Sequence, residues 1–141
     1  MHLVTLVLPL LAATLSGASL GCSVGVSSEP PVVVATAPTG TLTVRWLVTG
    51  TASPPACSVY GASTLELVVY DTGGNEVAHA NEPCSSFGLS LELPEGTYSA
   101  EATLIDSAGN SRTTTKPLQA IEVVAGTDLA IDLDFPASSF L

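Results

Sequence analysis

Between Gly40 and Phe135 apolar residues recur at every second position, segment after segment. Leu42, Val44, Trp46 and Val48 alternate with Thr41, Thr43, Arg45, Leu47 and Thr49. Leu65, Leu67 and Val69 alternate with Glu66, Val68 and Tyr70, and Leu89, Leu91 and Leu93 with Ser90 and Glu92. Tyr98, Ala100, Ala102 and Leu104 repeat the pattern, as do Leu129, Ile131, Leu133 and Phe135. Successive side chains of a strand point to opposite faces, so each segment offers one apolar and one polar face. Two further strands are expected at about residues 76–80 and 113–124, and Val32-Val33-Val34 offers an additional edge strand. No i, i+3, i+4, i+7 pattern persists long enough for a core helix. The pattern therefore predicts an all-β chain: a seven- to eight-stranded antiparallel β-sandwich, two sheets packed face to face.

The segments are separated by readable turns. Asp71-Thr72-Gly73-Gly74-Asn75 and Asp106-Ser107-Ala108-Gly109-Asn110 share the pattern D-x-x-G-N. Asp can hold its own backbone in a turn, Gly accepts a positive φ, and Asn tolerates one. Leu93-Pro94-Glu95-Gly96-Thr97-Tyr98 resembles the tyrosine corner of Greek-key sandwiches, L-x-P-G-x-Y, with the proline one place early. In such a corner the tyrosine hydroxyl returns to the backbone a few residues upstream. With the following A-E-A-T-L-I-D, this run resembles the prealbumin-like, carboxypeptidase-regulatory and immunoglobulin-like sandwiches of bacterial surface proteins. The chain also resembles uncharacterised lipoproteins of myxobacteria-like Gram-negatives. The resemblance spans about Gly40 to Phe135 and implies a fold, with structural roles for Tyr98 and Gly96. It carries over no functional residue.

Ahead of the sandwich lies a segment of different character. Residues 1–15 form an apolar run broken by Pro9, followed by the small residues Ser16-Gly17-Ala18-Ser19. Apolar core followed by small residues is the layout of a secretory signal. No Lys or Arg precedes the run; only His2 and the terminal amine are available. Ser19-Leu20-Gly21-Cys22 resembles a bacterial lipoprotein signal over residues 1–21, with Leu20 one position late. That resemblance implies lipidation of Cys22 after cleavage, and Ser23 suits outer-membrane sorting. Ordinary cleavage after Ser16-Gly17-Ala18 and an uncleaved apolar anchor are the alternatives. Residues 22–39 are rich in Pro, Ser and Val and predict an extended tether, and residues 136–141 a short tail after Pro136.

Cysteine arithmetic bears on the choice. The chain has three cysteines, and an exported domain favours oxidation of Cys57 with Cys84. Closing that loop should stabilise the fold by ~3.5 kcal/mol. Lipid on Cys22 would then leave no stray thiol.

Charge excludes one class of partner. Thirteen acidic residues against three basic ones, Arg45, Arg112 and Lys116, give a net of -10, and such a chain repels phosphate backbones. Nucleic acid is therefore not an expected partner. Catalysis has few candidates: in the chain that follows the leader the single histidine is His79, and G-x-S-x-G, H-x-x-x-H and C-x-x-C are all missing from that part. No cofactor is implied. Calcium would call on Asp128, Asp132, Asp134, Asp71 and Asp106, but no D-x-D-x-D-G loop is present and an acidic strand face also discourages edge pairing. Trp46, the single tryptophan, shares the apolar face of its strand and is expected in the core. Tyr60 and Tyr70 are the candidate exposed aromatics. The expectation is a lipid-anchored outer-membrane protein acting as a non-catalytic structural or protein-interaction module, with an envelope protein or polysaccharide as partner. A carbohydrate- or calcium-binding sandwich is the alternative, and a hydrolase with an unrecognised site the third.

Overall fold

The computed structural model describes residues 36–141. The leader, Cys22, Ser23, the tether through residue 35 and the Val32–Val34 strand lie outside the described residues. Seven strands follow in order: β1 (Thr39–Val48), β2 (Thr64–Tyr70), β3 (Glu76–Pro83), β4 (Gly88–Pro94), β5 (Gly96–Ile105), β6 (Lys116–Val123) and β7 (Asp128–Phe135). They form a three-stranded sheet of order β4-β1-β7 and a four-stranded sheet of order β3-β2-β5-β6. The chain is thus a β-sandwich with the seven strands the alternation predicts.

The core lies between the apolar faces. Leu42, Val44, Trp46 and Val48 of β1 are buried, as are Leu65, Leu67 and Val69 of β2. Tyr98, Ala100, Ala102 and Leu104 of β5, with Ile121, Val123, Leu133 and Phe135, complete it. Each of the larger aliphatic or aromatic side chains contributes about 1.5–3 kcal/mol of transfer free energy. Among the described residues every buried side-chain N or O atom has a hydrogen-bond partner.

Two features refine the expected antiparallel sandwich. Four strand pairs are antiparallel, but β1 and β7 run parallel from Thr41↔Asp128 to Val48↔Phe135. β1 is the central strand of its sheet, with β4 antiparallel on one side and β7 parallel on the other. The strand order also differs from one of the sandwich classes that the sequence resembles. An immunoglobulin constant domain places its first strand beside its second, whereas β1 here lies between β4 and β7 in the opposite sheet from β2.

Local departures have local causes. The strand expected over 113–124 begins at Lys116, because Thr113 is buried and accepts the Leu104 N–H on its hydroxyl at 3.1 Å. Within β6 the period of two fails between Leu118 and Ile121, which both face the core side. A bulge opposite Ser99 absorbs the extra residue, with Ala120 at φ 53°. Residues 136–141, expected as a tail beyond the sandwich, fold back onto it. Leu141 N–H donates to Arg112 O at 3.0 Å, and the Phe140 ring stacks on Tyr60 at 4.2 Å. Tyr60 is therefore half-buried in a stack and is not a free aromatic platform.

Candidate functional site

The connection from β1 to β2 and the connection from β3 to β4 meet at one end of the sandwich. The first leaves β1 through a tight turn at Thr49-Gly50, both at positive φ (51° and 75°), closed by Val48 N–H to Thr51 O at 2.9 Å. That geometry belongs to a two-residue hairpin turn with a right-handed twist. The Asp134 carboxylate accepts the Gly50 N–H at 3.0 Å and holds the turn against β7. A six-residue helix, α1 (Pro54–Val59), follows; its two prolines occupy the first turn, where no intrahelical N–H is needed. It places Cys57 inward. The second connection is a 3-10 turn, Cys84–Ser86, ending in Phe87.

The Cys57–Cys84 disulfide joins the two connections, with Cα atoms 6.1 Å apart. Trp46, 1% exposed, donates its indole N–H to the Cys84 carbonyl at 2.9 Å. The Trp46 backbone N–H donates to Phe87 O at 3.2 Å, and the two rings lie 6.4 Å apart, tilted by 43°. Phe87 itself is held at φ 53°, a strained conformation for a bulky residue, costing about 1 kcal/mol or more. Disulfide, indole and strained phenylalanine form one connected support.

This support forms part of a cleft of about 470 Å³ lined by Arg45, Trp46, Leu47, Ala52, Phe87, Asp132 and Leu133. Arg45 and Leu47 project from the outer face of β1, alternating with the buried Trp46. Arg45 and Asp132 sit opposite each other in the parallel register. The guanidinium donates Nε–H and Nη2–H to the two carboxylate oxygens at 2.8 and 3.1 Å. Both side chains are largely exposed, at 58% and 72%, so the pair adds at most ~1 kcal/mol to stability. On the other side Arg45 faces Gly88 of β4, which carries no side chain to compete for the guanidinium.

The remaining sequence candidates are dispersed. Asp128 accepts the Thr43 hydroxyl at 2.8 Å, Asp132 takes Arg45, and Asp134 takes Gly50 N–H. Asp71 and Asp106 begin loops at opposite ends of the antiparallel β2–β5 pair. Each carboxylate is filled by its own loop. Asp71 Oδ1 accepts Gly73 and Asn75 N–H at 2.8 and 2.9 Å, and Asp106 Oδ1 accepts Ala108 and Asn110 N–H at the same distances. Among the described residues no group of three or more His, Cys, Asp or Glu side chains converges to hold a metal. His79 lies on the exposed β3 beside Glu66 at 3.1 Å and Glu76 at 3.5 Å, with no nucleophilic hydroxyl among its hydrogen-bond partners. Tyr70 donates to Glu101 at 3.3 Å. At the corner before β5, the Tyr98 hydroxyl donates to Pro94 O at 2.7 Å and Gly96 packs against the ring.

Sequence reasoning singled out Trp46, Cys57 and Cys84 as structural, and the structure places them behind the cleft. It passed over Leu47, Phe87 and Ala52. A signal for Leu47 was present: it is a large apolar residue in the register of Thr41, Thr43 and Arg45. Phe87 had none, because its position depends on a positive φ that no bulky residue advertises.

No family model and no curated protein matches the chain. Solved structures similar to it at low identity include two bacterial proteins. One is the Bacillus anthracis TIE protein, 15% identical with a TM-score of 0.43, covering 69% of this chain and 16% of that one. The other is a DUF1812 protein from Bacteroides thetaiotaomicron proposed to bind polysaccharide, 17% identical with a TM-score of 0.38, covering 66% and 46%. The chain spans less than half the length of either.

Proposed function

We propose that the chain is an exported protein, held at the outer membrane by lipid on Cys22, and that its sandwich is a non-catalytic interaction module of the cell envelope. One observation carries the anchor. The disulfide takes Cys57 and Cys84, so Cys22 is the cysteine left over, and it directly follows a leader-like segment. An oxidised pair suits an exporting compartment, where a lone thiol would be a liability. The interaction role draws on the way the site is made: side chains at the cleft are positioned by a covalent clamp, and none of them forms a nucleophile–base pair.

Intact-mass measurement of the protein from its native membrane tests the anchor. The expected species starts at Cys22, carries diacylglycerol plus an acyl chain, and gains two hydrogen atoms when the reductant supplies two electrons and two protons to the disulfide. An unmodified start at Ser19, or a retained leader, would defeat it.

A further inference from the structure

We infer that the cleft beside Arg45 and Asp132 is a binding site for a neutral saccharide. The inference rests on reading the domain as a binding module but is independent of the lipid anchor. The cleft is of small-ligand size and has two unlike walls. One is apolar: Leu47, 38% exposed, with Phe87 and Ala52. The other is the bidentate Arg45–Asp132 fork.

A pyranose ring has the same division, with axial C–H groups on one face and hydroxyls around its rim. The fork suits the rim. Arg45 has five N–H donors, of which two are used on Asp132. The remaining donors and the spare carboxylate lone pairs lie side by side and open to solvent. Adjacent hydroxyls can accept from the guanidinium and donate to the carboxylate at once, whereas an apolar ligand would leave both unmatched. Charge selects within the class. The chain carries -10, and Asp132 and Asp134 share the outer face of β7, so a uronate or sialylated sugar would meet net repulsion.

The two segments that bring Ala52 and Phe87 to the cleft are joined by the disulfide, which fixes the site before any ligand arrives and limits the ordering cost of binding. The strain at Phe87 fits the same picture, since backbone strain concentrates at ligand clamps.

Trp46 is the single tryptophan and is buried at the base of the cleft against Phe87, so its emission senses occupancy through that ring. The full chain, purified in a sugar-free polyoxyethylene detergent where required, would be titrated with cellotriose, maltotriose, mannotriose, N-acetylchitotriose and tri-galacturonate. At least one neutral trisaccharide should produce a saturable change in Trp46 emission. Asp132→Asn should weaken it by about tenfold, the scale of one charge-assisted hydrogen bond, with the circular-dichroism spectrum of the folded protein retained. Phe87→Gly, which suits the positive φ, should weaken it as well, and Glu122→Gln should not. Absence of a response to every neutral trisaccharide would overturn the inference, as would equal binding by Asp132→Asn or tighter binding of tri-galacturonate. None of these outcomes bears on the mass of the Cys22 species, so the two readings fail separately.

Discussion

Asp71 and Asp106 show how far a single residue can determine its surroundings. Each caps its own turn with two backbone N–H donors and the side-chain amide of the Asn four residues on. Gly74 and Gly109, at φ 79° and 83°, supply the left-handed step that lets those donors converge. These bonds favour the ionised form. The Asn75 side chain, then its backbone N–H, lowers the pKa of Asp71; the Asn110 backbone N–H, then its side chain, lowers that of Asp106. A folded-state pKa below the unfolded value gives stability that is present above about pH 4 and is lost as pH falls through the folded value. The melting temperature should therefore decline on acidification below about pH 4. In an Asp71→Asn/Asp106→Asn double variant, which keeps an oxygen acceptor but cannot titrate, the decline should be shallower. A parallel decline in both proteins, measured by circular dichroism from neutral to acid pH, would show that other groups govern it.

At the scale of elements, the strands were legible because burial on one face writes itself as a period of two, which five of the seven segments between Gly40 and Phe135 carried plainly; β3 buries no residue fully and β6 breaks the period. The failures mark places where the period is not the governing signal. The shift inside β6 passes through Ala120, a residue without a conspicuous preference for positive φ. Helix α1 is too short to show a period, and its position comes from two prolines and the cysteine it must deliver. The parallel register of β1 with β7 has no local signature, because pairing between the ends of a chain is a property of topology. The corner at Tyr98 was legible because several residues must cooperate there. The disulfide belongs to this scale too, since it ties α1 to the turn before β4 across a sequence separation of 27. Replacing both cysteines by alanine should cost ~3.5 kcal/mol in denaturant unfolding. Near-ultraviolet dichroism of Trp46 should change with it, because the indole bonds the carbonyl of Cys84. An unaltered Trp46 signal would separate the staple from the site it is said to support.

For the whole molecule, the two sheets are assembled differently. The four-stranded sheet contains the consecutive hairpin β2–β3, whereas the three-stranded sheet collects β1, β4 and β7 from the beginning, middle and end of the domain. Pairing of that kind requires long loops to close first and slows folding. The parallel β1–β7 ladder also has a mechanical consequence. Tension applied through the chain ahead of Thr39 and through the end of β7 pulls the two strands lengthwise past each other. Every bond of the ladder from Thr41↔Asp128 to Val48↔Phe135 is then loaded together, in shear, whereas an antiparallel terminal pair would open one bond at a time. In a single-molecule pulling experiment, residues 136–141 should peel first and the sandwich should then give way in one high-force event. A handle placed instead in the Asp71–Asn75 loop should lower that force. Stepwise, low-force extension from the termini would contradict this. A domain tethered by one end and grasped at the other would thus be a load-bearing clasp, strongest along the line in which it is pulled.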